Sequence, residues 1–252
     1  MNDNPARDPR EGRLESGRAV MLYDPSMAGN FVPQWFDPEH WRAAGALRGV
    51  AAGRGSTFFF ESAGRQFALR HYRRGGLVAR WVADRYLDGG AERSRPVREF
   101  RVTQRLQALG LPVAPVVAAR YAPQGLAYRG DLITLRLGDT RTLAAVLAAG
   151  EQPAWQQVGH MLARFHDAGL DHADLNAHNL LLDAQGDWHL IDFDRARFRR
   201  PGMWCDANLV RLRRSLLKVS DAAARAFDEH GWHALLAGYR DGRAQLRAGG
   251  GA

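Results

Sequence analysis

The chain is poor in cysteine and almost without lysine. Its single cysteine, Cys205, excludes an internal disulfide and suits a reducing compartment. Its single lysine, Lys218, leaves arginine to carry nearly all of the positive charge behind a formal net of +8. No apolar run approaches the ~20 residues that a membrane span needs, and the polar N-terminus does not read as a secretory signal. There is no internal repeat or low-complexity tract. What remains is a chain of 252 residues, 46% of them hydrophobic, long enough for one two-lobed unit or two small domains around a substantial core. Residues 1–18 are charged, proline-bearing and aperiodic, and are expected to be disordered. An isoelectric point of about 10.4 raises nucleic-acid binding as a reading. No recognised nucleic-acid motif accompanies it, so no nucleic-acid partner is expected.

Between Leu170 and Asp194 the polar residues fall in an ordered pattern. His172-Ala173-Asp174 fits the start of the phosphotransferase pattern H-R-D-x-x-x-x-N, and Asn179 follows Asp174 by five residues, as that pattern requires. Asp192-Phe193-Asp194 takes the place of D-F-G, eighteen residues after Asp174 (192 − 174). A strand from Leu180, a turn over Asp183-Ala184-Gln185-Gly186-Asp187 and a strand from Trp188 fill the interval. Phosphoryl transfer asks for positioning and charge neutralisation more than covalent help. Asp174 suits the orientation of an attacking hydroxyl and acceptance of its proton; with a reference pKa of ~3.9 it orients more than it deprotonates. Asn179 and Asp192 offer hard oxygen ligands for Mg²⁺ bridging the phosphates of ATP. The competing reading is a solvated Asp/Asn turn between core strands.

Upstream residues take their places from that pattern. Phe67-Ala68-Leu69-Arg70 matches the strand V-A-I-K, with Arg70 where the phosphate-contacting lysine stands. Arginine neutralises phosphate and pairs bidentately with a carboxylate, though its fork is bulkier than an ammonium. The partner carboxylate is expected at Glu99, on a helix from Pro96 to Leu109 closed by Gly110. A first-turn glutamate complementing the helix dipole is the alternative. Gly53, Gly55 and Ser56 lie in a turn where a phosphate-cradling loop belongs, with Phe58 at the third glycine position. Leu135 and Leu137 flank the expected adenine-contacting hinge. The fold class that follows is α+β: a protein-kinase-like, two-lobed fold. Its N-lobe (19–137) would be an antiparallel sheet with one main helix, and its C-lobe (138–252) mainly helical. In the latter, Trp155, Val158, Leu162 and Phe165 mark one helix face that Gly169 ends.

Two regions are expected to choose the acceptor. One is an insertion over 73–87 carrying Arg80 and Arg85; the other is a helix from Asn208 to Lys218. On that helix Leu209, Leu212, Leu216 and Val219 form an apolar stripe, and Arg211, Arg214 and Lys218 a basic one. Basic charge of this kind suits an anionic lipid headgroup or an acidic sugar, and a core helix with a solvated basic face is the alternative. The tail after His233 reads as a short helix and a frayed end.

The stretches Leu69-Arg70-His71-Tyr72-Arg73-Arg74-Gly75-Gly76-Leu77-Val78, Asp84-Arg85-Tyr86-Leu87, His172-Ala173-Asp174-Leu175-Asn176-Ala177-His178-Asn179, Leu190-Ile191-Asp192-Phe193-Asp194 and Asn208-Leu209-Val210-Arg211-Leu212 carry a more specific resemblance. From about Gly49 to Lys218 the chain resembles the lipopolysaccharide kinase family, in its branch acting on 3-deoxy-D-manno-octulosonic acid (Kdo). That resemblance implies ATP-dependent phosphorylation of the Kdo 4-hydroxyl on a lipid A precursor. It also implies peripheral attachment at the cytoplasmic face of a Gram-negative inner membrane. By the same resemblance Asp174 is the catalytic base, Asn179 and Asp192 are the Mg²⁺ ligands and Arg70 is the phosphate contact. Phe58 and Asp194 depart from ordinary protein kinases. The residues alone leave open another acceptor (a core heptose, a protein, a small molecule) or a non-catalytic nucleotide-binding scaffold.

Overall fold

A computed structural model describes residues 11–51, 57–72, 86–87, 90–125, 127–223 and 227–249. The chain divides into two compact units, one of Met1–Arg105 with Ala114–Arg136 and one of Leu106–Val113 with Leu137–Ala252. It therefore crosses between units three times, and a single cut after residue 137 does not separate them. The segment 106–113 belongs with the second unit because Leu190 N donates to Pro112 O at 3.0 Å, and Val113 bridges Leu190 in parallel.

The first unit is built on an antiparallel sheet of β1 (Gly12–Ser16), β2 (Ala19–Tyr23), β3 (Leu47–Ala51), β4 (Thr57–Ser62), β5 (Arg65–His71), β6 (Tyr86–Leu87), β7 (Val116–Gln124) and β8 (Ala127–Leu135). The order is β1-β2-β7-β8-β5-β4-β3, with β6 also paired to β8. The alternation in β4 and β5 sends Phe60, Phe67 and Leu69 to one face. There Trp41 stacks on Phe60 at 4.0 Å, and Trp35 meets Phe60 and Phe67 edge-on. The cover is a 3₁₀ turn (Pro33–Phe36) and α1 (Pro38–Ala43), capped by Asp37, whose carboxylate accepts from Glu39 N at 3.0 Å. The opposite face packs Val116, Ala119 and Leu132 against Val97 and Phe100 of α2 (Arg95–Ala108). The expectation of one main helix is thus extended: short helical turns cover the second face.

The disorder expected over residues 1–18 is corrected from residue 12 onward. β1 and β2 form a hairpin around Gly17, at φ +58°. β1 escaped notice because its side chains are mostly exposed, so an edge strand carries no apolar alternation. Ion pairs anchor it instead. Arg101 of α2 holds Glu11 with two hydrogen bonds, at 2.9 and 3.1 Å, and also bonds Glu92, which Arg13 meets at 3.1 Å.

The second unit contains α3 (Leu143–Ala148), α4 (Trp155–Asp167), α5 (Trp204–Ala223) and α6 (Glu229–Gly249). With them run the strands β9 (Arg141–Thr142), β10 (Leu170–Asp171), β11 (Leu180–Leu182), β12 (Trp188–Leu190) and β13 (Arg197–Phe198). β11 pairs with β12 and β9; β10 pairs with β13. Thr142 caps α3, its hydroxyl accepting from Ala145 N at 3.0 Å. The expected stripe Trp155, Val158, Leu162 and Phe165 is buried on α4. The tail helix is longer than expected: α6 is a 21-residue helix lying against α4, and the frayed end expected beyond it, 250–252, lies outside the described residues. Glycines permit that approach. A Cβ on Gly159 would sit 2.1 Å from Leu235 O, and one on Gly238 would sit 2.2 Å from Gln156 O.

Gly159→Ala is therefore expected to destabilise the chain by about 3 kcal/mol, through backbone overlap, despite the gain of about 1 kcal/mol in helix propensity. A urea midpoint equal to or above that of the wild type would contradict the close contact. A second expectation concerns His166 on α4, whose ring accepts from Tyr239 OH at 2.8 Å. Burial, then the charge of Arg243, lowers its pKa from 6.5 to about 4. The folded state therefore favours neutral His166. That contribution is full above pH 6.5 and is lost as pH falls from 6.5 to 4, up to about 3 kcal/mol. The stability gap between wild type and His166→Leu should narrow by that amount across the window in pH-resolved denaturation.

Candidate active site

In the second unit, the segment from Leu170 to Asp194 is braced by a buried carboxylate. Asp171 accepts from Asn208 Nδ2 at 2.9 Å, Arg199 Nη1 at 3.0 Å and Ala173 N at 3.3 Å. Arg197 Nε adds a contact at 3.5 Å. Burial opposes ionisation of Asp171, but these donors outweigh it and hold the carboxyl below its usual range. Asn208 comes from α5, Arg197 from β13 and Arg199 from just beyond that strand, so three separate segments are fixed around the start of the loop. Ser215 of α5 adds a further tie, its Oγ accepting from Ala177 N at 3.1 Å.

His172 is buried, and burial lowers its pKa. The neutral ring donates from Nε2 to Ile191 O at 3.0 Å and stands edge-on to Phe193 at 5.5 Å. One residue on, Ala173 takes φ +54°, and Asp192 takes φ +67°. Left-handed backbone at a residue with a Cβ costs roughly 1–3 kcal/mol and persists only where the surroundings impose it. Both strained residues touch the predicted motifs directly.

Asp174 is exposed to solvent. Its carbonyl accepts from Asn176 Nδ2 at 2.9 Å and Asn179 Nδ2 at 3.0 Å. The second bond turns Asn179 so that Oδ1, the better cation ligand, points away from Asp174 O. Asn179 O in turn accepts from Ile191 N at 3.0 Å, which ties it to the residue preceding Asp192. Asp183 organises the intervening hairpin: its carboxylate accepts from Gln185 N, Asp187 N and His189 Nε2 at 2.7–2.9 Å. Among the described residues no group of three or more His, Cys, Asp or Glu side chains forms a metal cage. Mg²⁺ does not need one, since it is ordinarily held by one or two carboxylates together with phosphates and water. Asn179 and Asp192 fit that pattern.

In the first unit, Arg70 of β5 and Glu99 of α2 meet at 2.5 Å. Tyr72, two residues after Arg70 and just past the end of β5, also donates its hydroxyl to Glu99 and accepts from Arg70 Nη2 at 3.1 Å. The Arg70 guanidinium lies 4.9 Å from the Tyr72 ring centre. Burial first, then the Glu99 charge, raises the Tyr72 pKa well above the ordinary phenol value, so the hydroxyl stays protonated and donates. Tyr72 was not singled out in the sequence, although the strand period of two places it beside Arg70. Asn208 was read only as the start of a helix, with no role; a polar residue on the Leu209–Leu212–Leu216 side of an amphipathic helix was the readable sign.

Leu135 ends β8, with its amide bonded to Pro115 O at 2.7 Å, and Leu137 begins the next part of the second unit. Arg211, Arg214 and Lys218 are exposed on α5, which starts at Trp204, four residues earlier than expected. Gly53, Gly55, Ser56, Arg80 and Arg85 lie outside the described residues.

A mixed α and β architecture with a large antiparallel sheet, and a loop of the H-x-D-x-x-x-x-N and D-F-x pattern, define a kinase-like phosphotransferase. Residues 38–239 match the lipopolysaccharide kinase (Kdo/WaaP) family. The chain belongs to that family. It is 43% identical over 212 residues to a protein of Stenotrophomonas maltophilia strain R551-3 named 3-deoxy-D-manno-octulosonic acid kinase, covering 83% of this chain and 84% of the relative. Relatives of the same name show 44% identity over 207 residues in Xylella fastidiosa strain 9a5c (79% and 81% covered) and over 214 in Xanthomonas campestris pv. campestris strain B100 (83% and 84%). The protein is thus an ATP-dependent phosphotransferase of lipopolysaccharide synthesis.

Tyr72→Phe removes one donor from buried Glu99. It should lower unfolding free energy by about 1–2 kcal/mol in chemical denaturation, and no loss would mean that Arg70 alone satisfies the carboxylate.

Proposed function

We propose that the chain transfers the γ-phosphate of ATP to the 4-hydroxyl of Kdo on a Kdo-bearing lipid A precursor. The observation that carries this reading is the braced loop in which Asp174, Asn179 and Asp192 follow one another in the order phosphoryl transfer requires. The name shared by the Stenotrophomonas, Xylella and Xanthomonas relatives supports Kdo as the acceptor. Asp174 orients the attacking hydroxyl and accepts its proton. Asn179 and Asp192 would hold Mg²⁺, which when bound would neutralise charge on the phosphates. Arg70, positioned by Glu99 and Tyr72, contacts the ATP phosphates, with the backbone of Gly53, Gly55 and Ser56. Leu135 and Leu137 border the adenine. Arg80, Arg85 and Arg211 hold the acidic groups of the acceptor. The division of labour falls between the first unit, which carries Arg70, and the second, which carries Asp174, Asn179 and Asp192.

The enzyme works at the cytoplasmic face of the inner membrane as a peripheral protein. Among the described residues no helix is long and apolar enough to cross a membrane. On α5, however, Val210 and Leu217 stand seven residues apart with 47% and 40% exposure, and Met203, immediately before the helix, is 89% exposed. Val210 and Leu217 share one side of the helix, flanked by Arg211, Arg214 and Lys218, a pattern suited to an anionic bilayer surface. Arginine in the lysine position at residue 70 favours one rival, a scaffold that binds nucleotide without transferring phosphate.

The test is transfer of labelled γ-phosphate from Mg-ATP to Kdo-bearing lipid IV-A, against the same lipid without Kdo. Label confined to the Kdo-bearing lipid, with kcat reduced roughly 10³-fold in Asp174→Ala at unchanged nucleotide affinity, is the expected result. Nucleotide binding with no label on any acceptor would establish the scaffold. Replacing Arg211, Arg214 and Lys218 together by Gln should weaken co-sedimentation with anionic vesicles by on the order of 100-fold and leave neutral vesicles unaffected. Equal binding to both vesicle types would remove the membrane assignment.

A further inference from the structure

An open cleft of about 600 Å³ lies in the second unit where the chain leaves β13, enters α5 and faces α6. It shares no residue with the groups assigned to transfer. From α6 come Arg240, Arg243 and Arg247, at spacings of three and four that put all three on one side of the helix. From α5 come Cys205 and Asp206. Tyr239 completes the wall; its pKa is raised to about 12, by burial first, so it is neutral, and its hydroxyl is engaged with His166, Cys205 and Arg243, the last of which keeps Nη1 unpaired. Three guanidinium groups thus face one carboxylate.

Charge alone would describe an ordinary solvated basic surface. Arg243 departs from that description: its Nη1 is buried and has no hydrogen-bond partner among the described residues. A buried guanidinium N–H without an acceptor is unfavourable, and because Arg243 lines the cleft, a turn of its guanidinium would bring that N–H to an anion there. The planar fork of arginine matches phosphate oxygens in pairs. The volume falls within the range of roughly 300–1,000 Å³ usual for small-molecule clefts. It therefore admits more than a bare phosphate, such as a phosphorylated sugar.

We propose that this cleft binds a phosphate monoester, at a site separate from the transfer centre. On the reading that the acceptor is a lipid A precursor, a phosphate on its sugar headgroup is the natural occupant, and the cleft would then anchor the acceptor at a distance from its reacting hydroxyl.

The experiment is calorimetric titration of inorganic phosphate and of glucosamine 1-phosphate into the full chain. The nucleotide site is first filled with a non-hydrolysable ATP analogue and Mg²⁺. Saturable binding that weakens by roughly tenfold or more in both Arg243→Gln and Arg247→Gln is expected. Arg247 is exposed, so its variant keeps the test valid if Arg243→Gln fails to fold. A parallel rise in lipid-acceptor KM with unchanged ATP KM would identify the headgroup as the source. Weakened binding of the small phosphates with no change in acceptor KM would assign the site to free phosphate or a soluble sugar phosphate. No saturable binding, or equal affinity in wild type and both variants, would overturn the proposal. The titration requires no turnover, so it stands or falls independently of the identity of the acceptor.

Discussion

The carboxylate of Asp171 is the constraint on which the candidate active-site loop depends. Buried charge is tolerated only when its lone pairs are occupied, and here donors from α5, the segment following β13 and the loop backbone converge on one group. None of those segments can shift without leaving charge uncompensated. The loop that emerges carries its own costs, in left-handed backbone at Ala173 and Asp192 and in a desolvated neutral His172. These are sustained because Asp171 on one side, and the bond from His172 to Ile191 on the other, leave the chain no relaxed alternative.

The same device recurs elsewhere. Glu99 is held by Arg70 and Tyr72, Glu11 by Arg101, Asp131 by Arg120 and His71, and Asp171 by Arg199. In each case an arginine serves a carboxylate that solvent barely reaches. A guanidinium spans two acceptor lone pairs and is less strongly hydrated than an ammonium. A chain with one lysine therefore builds its buried ion pairs from forks rather than point charges. Arginine richness thus has a structural share, beside whatever the basic faces of α5 and α6 do for ligands. Arg70 is one instance of a general habit of this chain.

Legibility in the sequence followed distance along the chain. His172, Asp174, Asn179 and Asp192 lie within some twenty residues, so their chemistry and spacing could be read together, and the pairing of Arg70 with Glu99 followed once each had a place. Helices with a clear apolar stripe, such as α4, were also readable. The misses have one physical origin, which is that the partner is remote or the pattern polar. β1 is an exposed edge strand fixed by Arg101, ninety residues away. The close approach of α4 and α6 depends on Gly159 facing Leu235, and neither residue signals the other. Trp35, Phe36 and Trp41 cover a sheet face from turns too short to show a helical period. Tyr72 and Asn208 were closer to detection, since strand and helix periods already placed them on the relevant faces.

The most direct test of this account is single-turnover phosphoryl transfer in a double-mutant cycle on Asp171 and Asn208. If the buried carboxylate fixes the loop, Asp171→Asn and Asn208→Ala each slow the chemical step by roughly 10–100-fold with nucleotide affinity near wild type. The double variant is then no slower than Asp171→Asn alone, because both act through one interaction. Wild-type rates in either single variant, or losses that multiply in the double, would show that the loop holds its geometry without Asp171.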